Sequence, residues 1–261
     1  MSDPILFQMQ QNDVCEIILN RPDKINTLNK ELIIRFTEHL KQLASQKDIR
    51  IVIISGAGKW FCGGADLKWM QQASQTDDQI NYDEAYQLAN LFQQLNSLPV
   101  ITIAKVTGGA LGGGIGILCC CDVVIASEES VFSFGELKLG LLPATIMPYV
   151  LSTIGERQAR RYMLSGEQFS CSKAKKLNII HDAVAIQSLE HAIDHQVQHL
   201  LSSAPNTLRE CKSLIQQYSF TEKQLIEDTA RILARSRSSK EAQEGITAFL
   251  KKSKPWWVKS S

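Results

Sequence analysis

Two apolar runs, each ending in a cluster of glycines, constrain the fold of this chain more than any other feature. Ile51-Val52-Ile53-Ile54 leads into Trp60-Phe61-Cys62-Gly63-Gly64-Ala65-Asp66-Leu67-Lys68, and Val100-Ile101-Thr102-Ile103-Ala104 leads into Gly108-Gly109-Ala110-Leu111-Gly112-Gly113-Gly114. Short unbroken apolar runs read as strands buried on both faces. A helix is predicted between them, running to about Asn96 with Ala85, Leu88, Phe92 and Leu95 on one face. An earlier one is predicted over 30–45, capped by Asn29, with Leu32, Ile33, Phe36, Leu40 and Leu43 at helical spacing. Strand, helix, strand in that order argues for parallel βαβ packing. Glycine lets a backbone come close to a ligand or take φ > 0 at little cost. Two such turns brought together would aim two backbone N–H groups at one carbonyl oxygen, the arrangement of an oxyanion hole.

The rest of the chain fills out an α/β protein. Ile5 to Gln10 and Val14 to Leu19 read as a hairpin around Gln11-Asn12-Asp13. The Gln-, Asp- and Ser-rich stretch from Gln71 to Asp83 is expected to be a mobile segment. A buried helix is predicted over 115–121 and a strand over 122–126. Short helices follow over 144–154, 156–164 and 172–177. From residue 186 the pattern is helical, with Ile186, Leu189, Ile193, Val197 and Leu200 at spacings of three and four. Further helices are predicted over 206–217, 221–236 and 240–250. This divides the chain into a core of residues 1–200 and a helical region of residues 201–261.

Charge and cysteine usage exclude several classes. The 28 basic and 27 acidic residues give a net charge of +1, without the basic excess of a nucleic-acid footprint. No apolar stretch reaches the ~18 residues of a membrane span, and no secretory leader is visible at the N-terminus. Seven cysteines, three of them adjacent at Cys119 to Cys121, read as reduced thiols rather than a disulfide framework, so a cytoplasmic location is expected. A metal site there lacks the two-residue spacers and the nearby histidine that zinc requires. His191, His195 and His199 share one helical face but have no Glu-x-x-His or Cys partner, so a solvated face is the simpler reading. The triplet Gly112 to Gly114 lacks the features of a nucleotide fingerprint. Glu136, in Ser133-Phe134-Gly135-Glu136-Leu137, is a lone acid among apolar neighbours. A buried carboxyl there would have the raised pKa of a general acid.

Taken together, these motifs resemble the crotonase family of enoyl-CoA hydratases and isomerases. Gly63 to Lys68 matches that family's first turn, Ala110 to Gly114 its second, Asn20 to Leu28 its Asn-Arg-Pro-x-x-x-Asn-x-Leu entry, and Cys121-Asp122 its Cys-Asp before a strand. The resemblance covers essentially the whole chain. It implies a crotonase-like spiral of ββα units with a C-terminal helical trimerisation region, and a homotrimer or a dimer of trimers. It also implies an acyl-CoA thioester substrate, with no metal and no redox cofactor. The N–H groups of Ala65 and Gly113 would form the oxyanion hole, and Lys24, Ile25, Leu28 and Lys68 would contact coenzyme A. Asp66 and Leu67 belong to the same turn, Asp66 as a helix cap before a base.

One departure bears on the reaction. Hydratases of the family carry two glutamates that hold water and shuttle its proton. The first lies two residues after the glycine triplet, where this chain has Gly116; the second matches Glu136. Gly116 is expected to leave open space in the substrate site. On the two-glutamate rule, the chain would be an isomerase using Glu136 alone. The runs Gly140 to Val150 and Ile154 to Tyr162, however, look like bacterial methylglutaconyl-CoA hydratases of leucine breakdown, which also lack the first glutamate. That likeness implies hydration of 3-methylglutaconyl-CoA to 3-hydroxy-3-methylglutaryl-CoA. An absent glutamate suits a substrate that carries its own carboxylate. Arg157, Arg160 and Arg161 are candidate partners for that carboxylate, although salt bridges on a charged helix face are the simpler reading. A catalytically silent acyl-CoA-binding protein is the rival from another class. Lys252, Lys254, Trp256 and Trp257 form a basic, aromatic tail suited to pack on a neighbouring subunit.

Overall fold

The structure, a computed structural model, describes residues 3–11, 13–218 and 224–255; Trp256 and Trp257 of the tail lie outside them. β1 (Ile5–Met9) and β2 (Val14–Leu19) pair antiparallel. α1 (Lys30–Ser45) then returns the chain to β3 (Ile51–Gly56), parallel to β2. The Asn29 side chain accepts from Leu32 N–H at the start of α1. α2 (Leu67–Ala73), α3 (Asp78–Asn96) and β4 (Ile101–Val106) follow. β5 (Gly109–Leu111) and α4 (Gly113–Cys120) form the second glycine turn itself, ahead of β6 (Val123–Ser127) and β7 (Val131–Ser133). α5 (Met147–Ser165), β8 (Phe169–Ser170), α6 (Cys171–Lys176) and β9 (Asp182–Val184) precede the helices α7 (Leu189–Leu201), α8 (Pro205–Tyr218), α9 (Gln224–Arg237) and α10 (Lys240–Leu250).

Six strands form one sheet in the order β1-β2-β3-β4-β6-β9, parallel apart from β1, and β5-β7-β8 form a second, smaller sheet. β3 shows why the apolar runs are continuous. Val52 and Ile54 join the large core on one face, while Ile51 and Ile53 join Ile101, Ile103 and Ile125 beneath Leu189, Ile193 and Val197 of α7 on the other. This is the mixed α/β architecture of the crotonase spiral. α9 packs along α3, and its Ala230 and Leu233 join the main core. No described helix is long and apolar enough to cross a membrane.

Three stretches bear on the sequence reading. The stretch 71–83 is mostly helical: α2 ends at Ala73, and α3 begins at Asp78 because the Asp77 side chain accepts from Gln79 N–H. Polar composition there reflects an exposed helix start, not a lack of structure. The two helices predicted over 144–154 and 156–164 are present within α5, which begins at Met147 and is divided by non-helical backbone at Gly155 (φ 72°, ψ 158°). The short strands β5, β7, β8 and β9 carry too few residues to show a period of two, and the sequence reading missed them.

Candidate active site

The first glycine turn is held from below by the Asn-Arg-Pro segment. Asn26, wholly buried, donates to the carbonyls of Ala57 (3.0 Å) and Trp60 (2.6 Å) and accepts from Arg21 N–H (2.8 Å). The Arg21 guanidinium reaches Thr27 O (2.5 Å) and the Asp66 carboxylate (2.9 Å). Asp66 also caps α2 by accepting from Lys68 and Trp69 N–H. Leu28 N–H donates to Gly64 O and Asp66 N–H to Leu28 O, which leaves the Ala65 N–H with no partner among the described residues. The structural work of Arg21 and Asn26 was not read from the sequence, although the motif that contains them was.

The second turn docks on the first. Leu111 N–H donates to Cys62 O (3.0 Å) and Gly112 N–H to Ser133 O (2.9 Å). Gly64 has φ +86°, and a Cβ there would lie 2.8 Å from Leu111 O, so glycine is required on both grounds. That same point is 3.7 Å from Gly113 N. Gly113 opens α4, whose first N–H groups have no intrahelical acceptor. Thus two unpaired N–H groups, of Ala65 and Gly113, meet at one wall of a cavity of about 340 Å³ that both residues line.

Glu136 packs directly against Gly112. A Cβ at Gly112 would fall 2.6 Å from Glu136 Oε1, so the carboxyl rests against bare backbone. Its Oε2 is buried without a hydrogen-bond partner among the described residues. Burial raises its pKa from 4.5 to about 7, opposed weakly by its own backbone N–H. The lining is otherwise apolar. Leu28, Leu67, Met70 and Leu88 contribute, and α9 and α10 close over them with Leu233 and Phe249. Among the described lining residues, Glu136, Lys138 and Thr145 are the ones with side-chain nitrogen or oxygen, and Lys138 Nζ donates to Gly166 O (2.6 Å).

The remaining candidates separate cleanly. Lys24, Ile25 and Lys68 are exposed near the first turn but outside the cavity wall. Gly116 does not leave open space, and this corrects the expectation. It is buried outside the wall, where a Cβ would overlap Ile146 Cγ2 and lie 2.9 Å from Phe92 Cε1. A residue thirty positions downstream fills the slot, which no local pattern signals. Arg160 pairs with Glu156 and Arg161 with Glu167 in solvent, and Arg157, also exposed, is not on the wall. Among the described residues no group of His, Cys, Asp or Glu is placed to hold a metal. Burial pushes the Cys119 thiol up to about 12, as befits a protonated, apolar side chain.

Backbone donors, one acid with a buried carboxyl oxygen and an apolar cavity make up the candidate site, and comparison with known proteins gives the family of the chain. A family model described as enoyl-CoA hydratase/isomerase matches residues 9–260. The chain belongs to the enoyl-CoA hydratase/isomerase family. An enoyl-CoA hydratase structure from Shewanella pealeana is 36% identical with a TM-score of 0.79, covering 97% of this chain and 96% of that one. An enoyl-CoA hydratase structure from Mycobacterium avium is 28% identical with a TM-score of 0.84, covering 99% and 100%. Enoyl-CoA hydratase AKT6-1 of Alternaria alternata is 30% identical over 208 residues, 79% of this chain and 67% of that protein.

Proposed function

We propose that this chain is a hydratase that adds water across the conjugated double bond of an enoyl-CoA, with Glu136 as its only acid–base group. The observation that carries this reading is the Glu136 carboxyl, unpartnered at Oε2 and neutral up to about pH 7 in an apolar cavity. A group poised there can both take and return a proton at neutral pH. The N–H groups of Ala65 and Gly113 receive the thioester oxygen as it gains enolate charge. Lys24, Ile25, Leu28 and Lys68 flank the coenzyme A end, beside the turn of Asp66 and Leu67. The reaction draws on no metal and no redox cofactor.

For the acyl group, we propose 3-methylglutaconyl-CoA, giving 3-hydroxy-3-methylglutaryl-CoA. Sequence likeness supports it, and Lys138 is the cationic side chain among the described lining residues available to a substrate carboxylate. The exposed arginines of α5 do not serve that purpose. Residues 201–261 are proposed to build a trimer on the 1–200 core. Exposed Leu214, Phe249 and Leu250 support an interface there, as large apolar side chains in water do in general.

A second reading, isomerase, is favoured by Ile146 in the Gly116 slot, which leaves a single carboxyl to move a proton between carbons. Incubation with a panel of enoyl-CoA esters in ¹⁸O-labelled water tests both. Loss of the conjugated thioester absorbance with label in the product is expected. A shifted double bond without label identifies an isomerase, and acyl-CoA binding without turnover identifies a silent binder. If kcat/KM on crotonyl-CoA exceeds that on 3-methylglutaconyl-CoA, the substrate assignment fails.

A further inference from the structure

A water molecule in an apolar cavity needs two or more polar partners to stay there. The cavity wall offers three polar side chains, Glu136, Lys138 and Thr145. The Lys138 ammonium is engaged by Gly166 O. Thr145 differs from both. It sits in the turn that leads into α5, is 5% exposed, and makes no side-chain hydrogen bond among the described residues. Its Oγ1 is not among the buried side-chain atoms that lack a partner, so the hydroxyl is accessible and free to bind a water. The neighbouring residue explains why the hydroxyl is placed here. Ile146 turns into the slot over Gly116 and seals it with hydrocarbon, which leaves Thr145 as the polar member of the pair at the wall.

We propose that Thr145 holds the attacking water against Glu136, so that one hydroxyl and one carboxyl together perform the hydration. This rests on the hydratase reading above. The water donates one hydrogen to the Glu136 carboxylate and the other to Thr145 Oγ1, leaving a lone pair directed at the substrate Cβ. As the O–Cβ bond forms, Glu136 takes the first proton. The Cα=Cβ electron pair moves toward the thioester, whose oxygen gains charge at the Ala65 and Gly113 N–H groups. The Glu136 carboxyl then returns the same proton to Cα. One water is added across one double bond, with no oxidant or reductant consumed.

The test uses the full-length enzyme with Thr145→Val and Thr145→Ser, assayed in two reactions. The first is hydration of an enoyl-CoA. The second is exchange of the Cα hydrogen of a saturated acyl-CoA in deuterated water, which needs Glu136 but no attacking water. Thr145→Val is expected to lower the hydration kcat by about 10-fold or more, the loss of one hydrogen bond to the reacting water, while Cα exchange and KM change little. Thr145→Ser is expected to restore hydration, because it restores the hydroxyl. Hydration at the wild-type rate in Thr145→Val overturns the proposal. So does a parallel loss of hydration and exchange, or a Thr145→Ser variant as slow as the valine, since each marks a structural role. A wild-type enzyme that exchanges Cα hydrogen but hydrates no ester overturns the hydratase reading itself, and is recognised before any variant is made.

Discussion

The floor and the roof of the cavity are built on different principles. The floor, made by the two glycine turns, is a lattice of backbone hydrogen bonds with its polar side chains fully used: Asn26 binds three backbone groups and Arg21 binds a carbonyl and a carboxylate. The roof, where α2, α3, α9 and α10 meet, is held by side chains, and not all are satisfied. Arg237 is wholly buried, stacks on the Trp69 ring at 4.8 Å and approaches Asn81 Oδ1 at 3.5 Å, yet its Nε and Nη2 have no partner among the described residues. Burial lowers its pKa to about 10, partly offset by the charge of Glu84. Glu84 itself accepts from Trp69 Nε1 (2.7 Å) and pairs with Lys30 (2.9 Å). The contrast teaches where tolerance lies. Donors aimed at a reacting oxygen must not move, so the floor is over-determined, whereas a hydrophobic cover needs only to exclude water.

The comparison breaks most readily at the carboxyl that the floor positions. Glu136→Gln is expected to lower kcat by about 10²-fold or more, the scale of a lost acid–base group. Near-wild-type turnover in a folded variant would remove Glu136 from the mechanism. Gly113→Pro deletes one donor at the first position of α4, where proline suits a helix. It is expected to cost roughly 3 kcal/mol of transition-state stabilisation, with a small shift of Leu28, whose Cδ1 lies 3.1 Å from the new Cβ. A thioester oxygen found far from both N–H groups in a crystal complex would contradict the premise.

Next comes a matched pair of cation deletions. Arg21→Met strands the part-buried Thr27 carbonyl and the Asp66 carboxylate, and is expected to destabilise by about 2 kcal/mol. Arg237→Met removes a buried cation with two orphaned donors, and is expected to leave stability within about 1 kcal/mol or to raise it. Denaturant unfolding of the two variants measures both. Equal losses would erase the distinction between floor and roof.

The smallest effect is one of pH. Glu136 binds its proton more tightly in the folded chain than in the unfolded one, because its pKa rises from 4.5 to about 7 on folding. Its contribution to stability is therefore complete below pH 4.5 and is lost as pH rises through about 7. Stability of the wild type should fall across that window relative to Glu136→Gln, which has no such slope. Because the base must be ionised, kcat/KM should rise with pH through about 7. A flat activity profile from pH 5 to 8 would place the group's pKa elsewhere.

The site was legible in the sequence where local chemistry specifies it. Glycines at positive φ, a capping Asp66 and an acid among aromatic and aliphatic neighbours each carry a signature within a few residues. Gly116 shows where such reading stops. Its place after the glycine triplet is visible in the sequence, but the open space expected there is not, because Ile146 and Phe92 occupy the side-chain volume. Arg237 is similar: a charged residue on an amphipathic helix reads as exposed until α9 is laid along α3.

By itself, then, the sequence determined the α/β class, most helices, the two turns and the lone glutamate, because backbone conformation and hydrophobic period are properties of neighbouring residues. Only the tertiary structure decided that Ala65 and Gly113 face one cavity, that Asn26 and Arg21 brace the first turn, and that Ile146 closes the Gly116 slot beside Thr145. Those outcomes depend on which side chains compete for the same volume after distant segments pack. In an interior as dense as an organic crystal, that competition is settled by shape across the whole core.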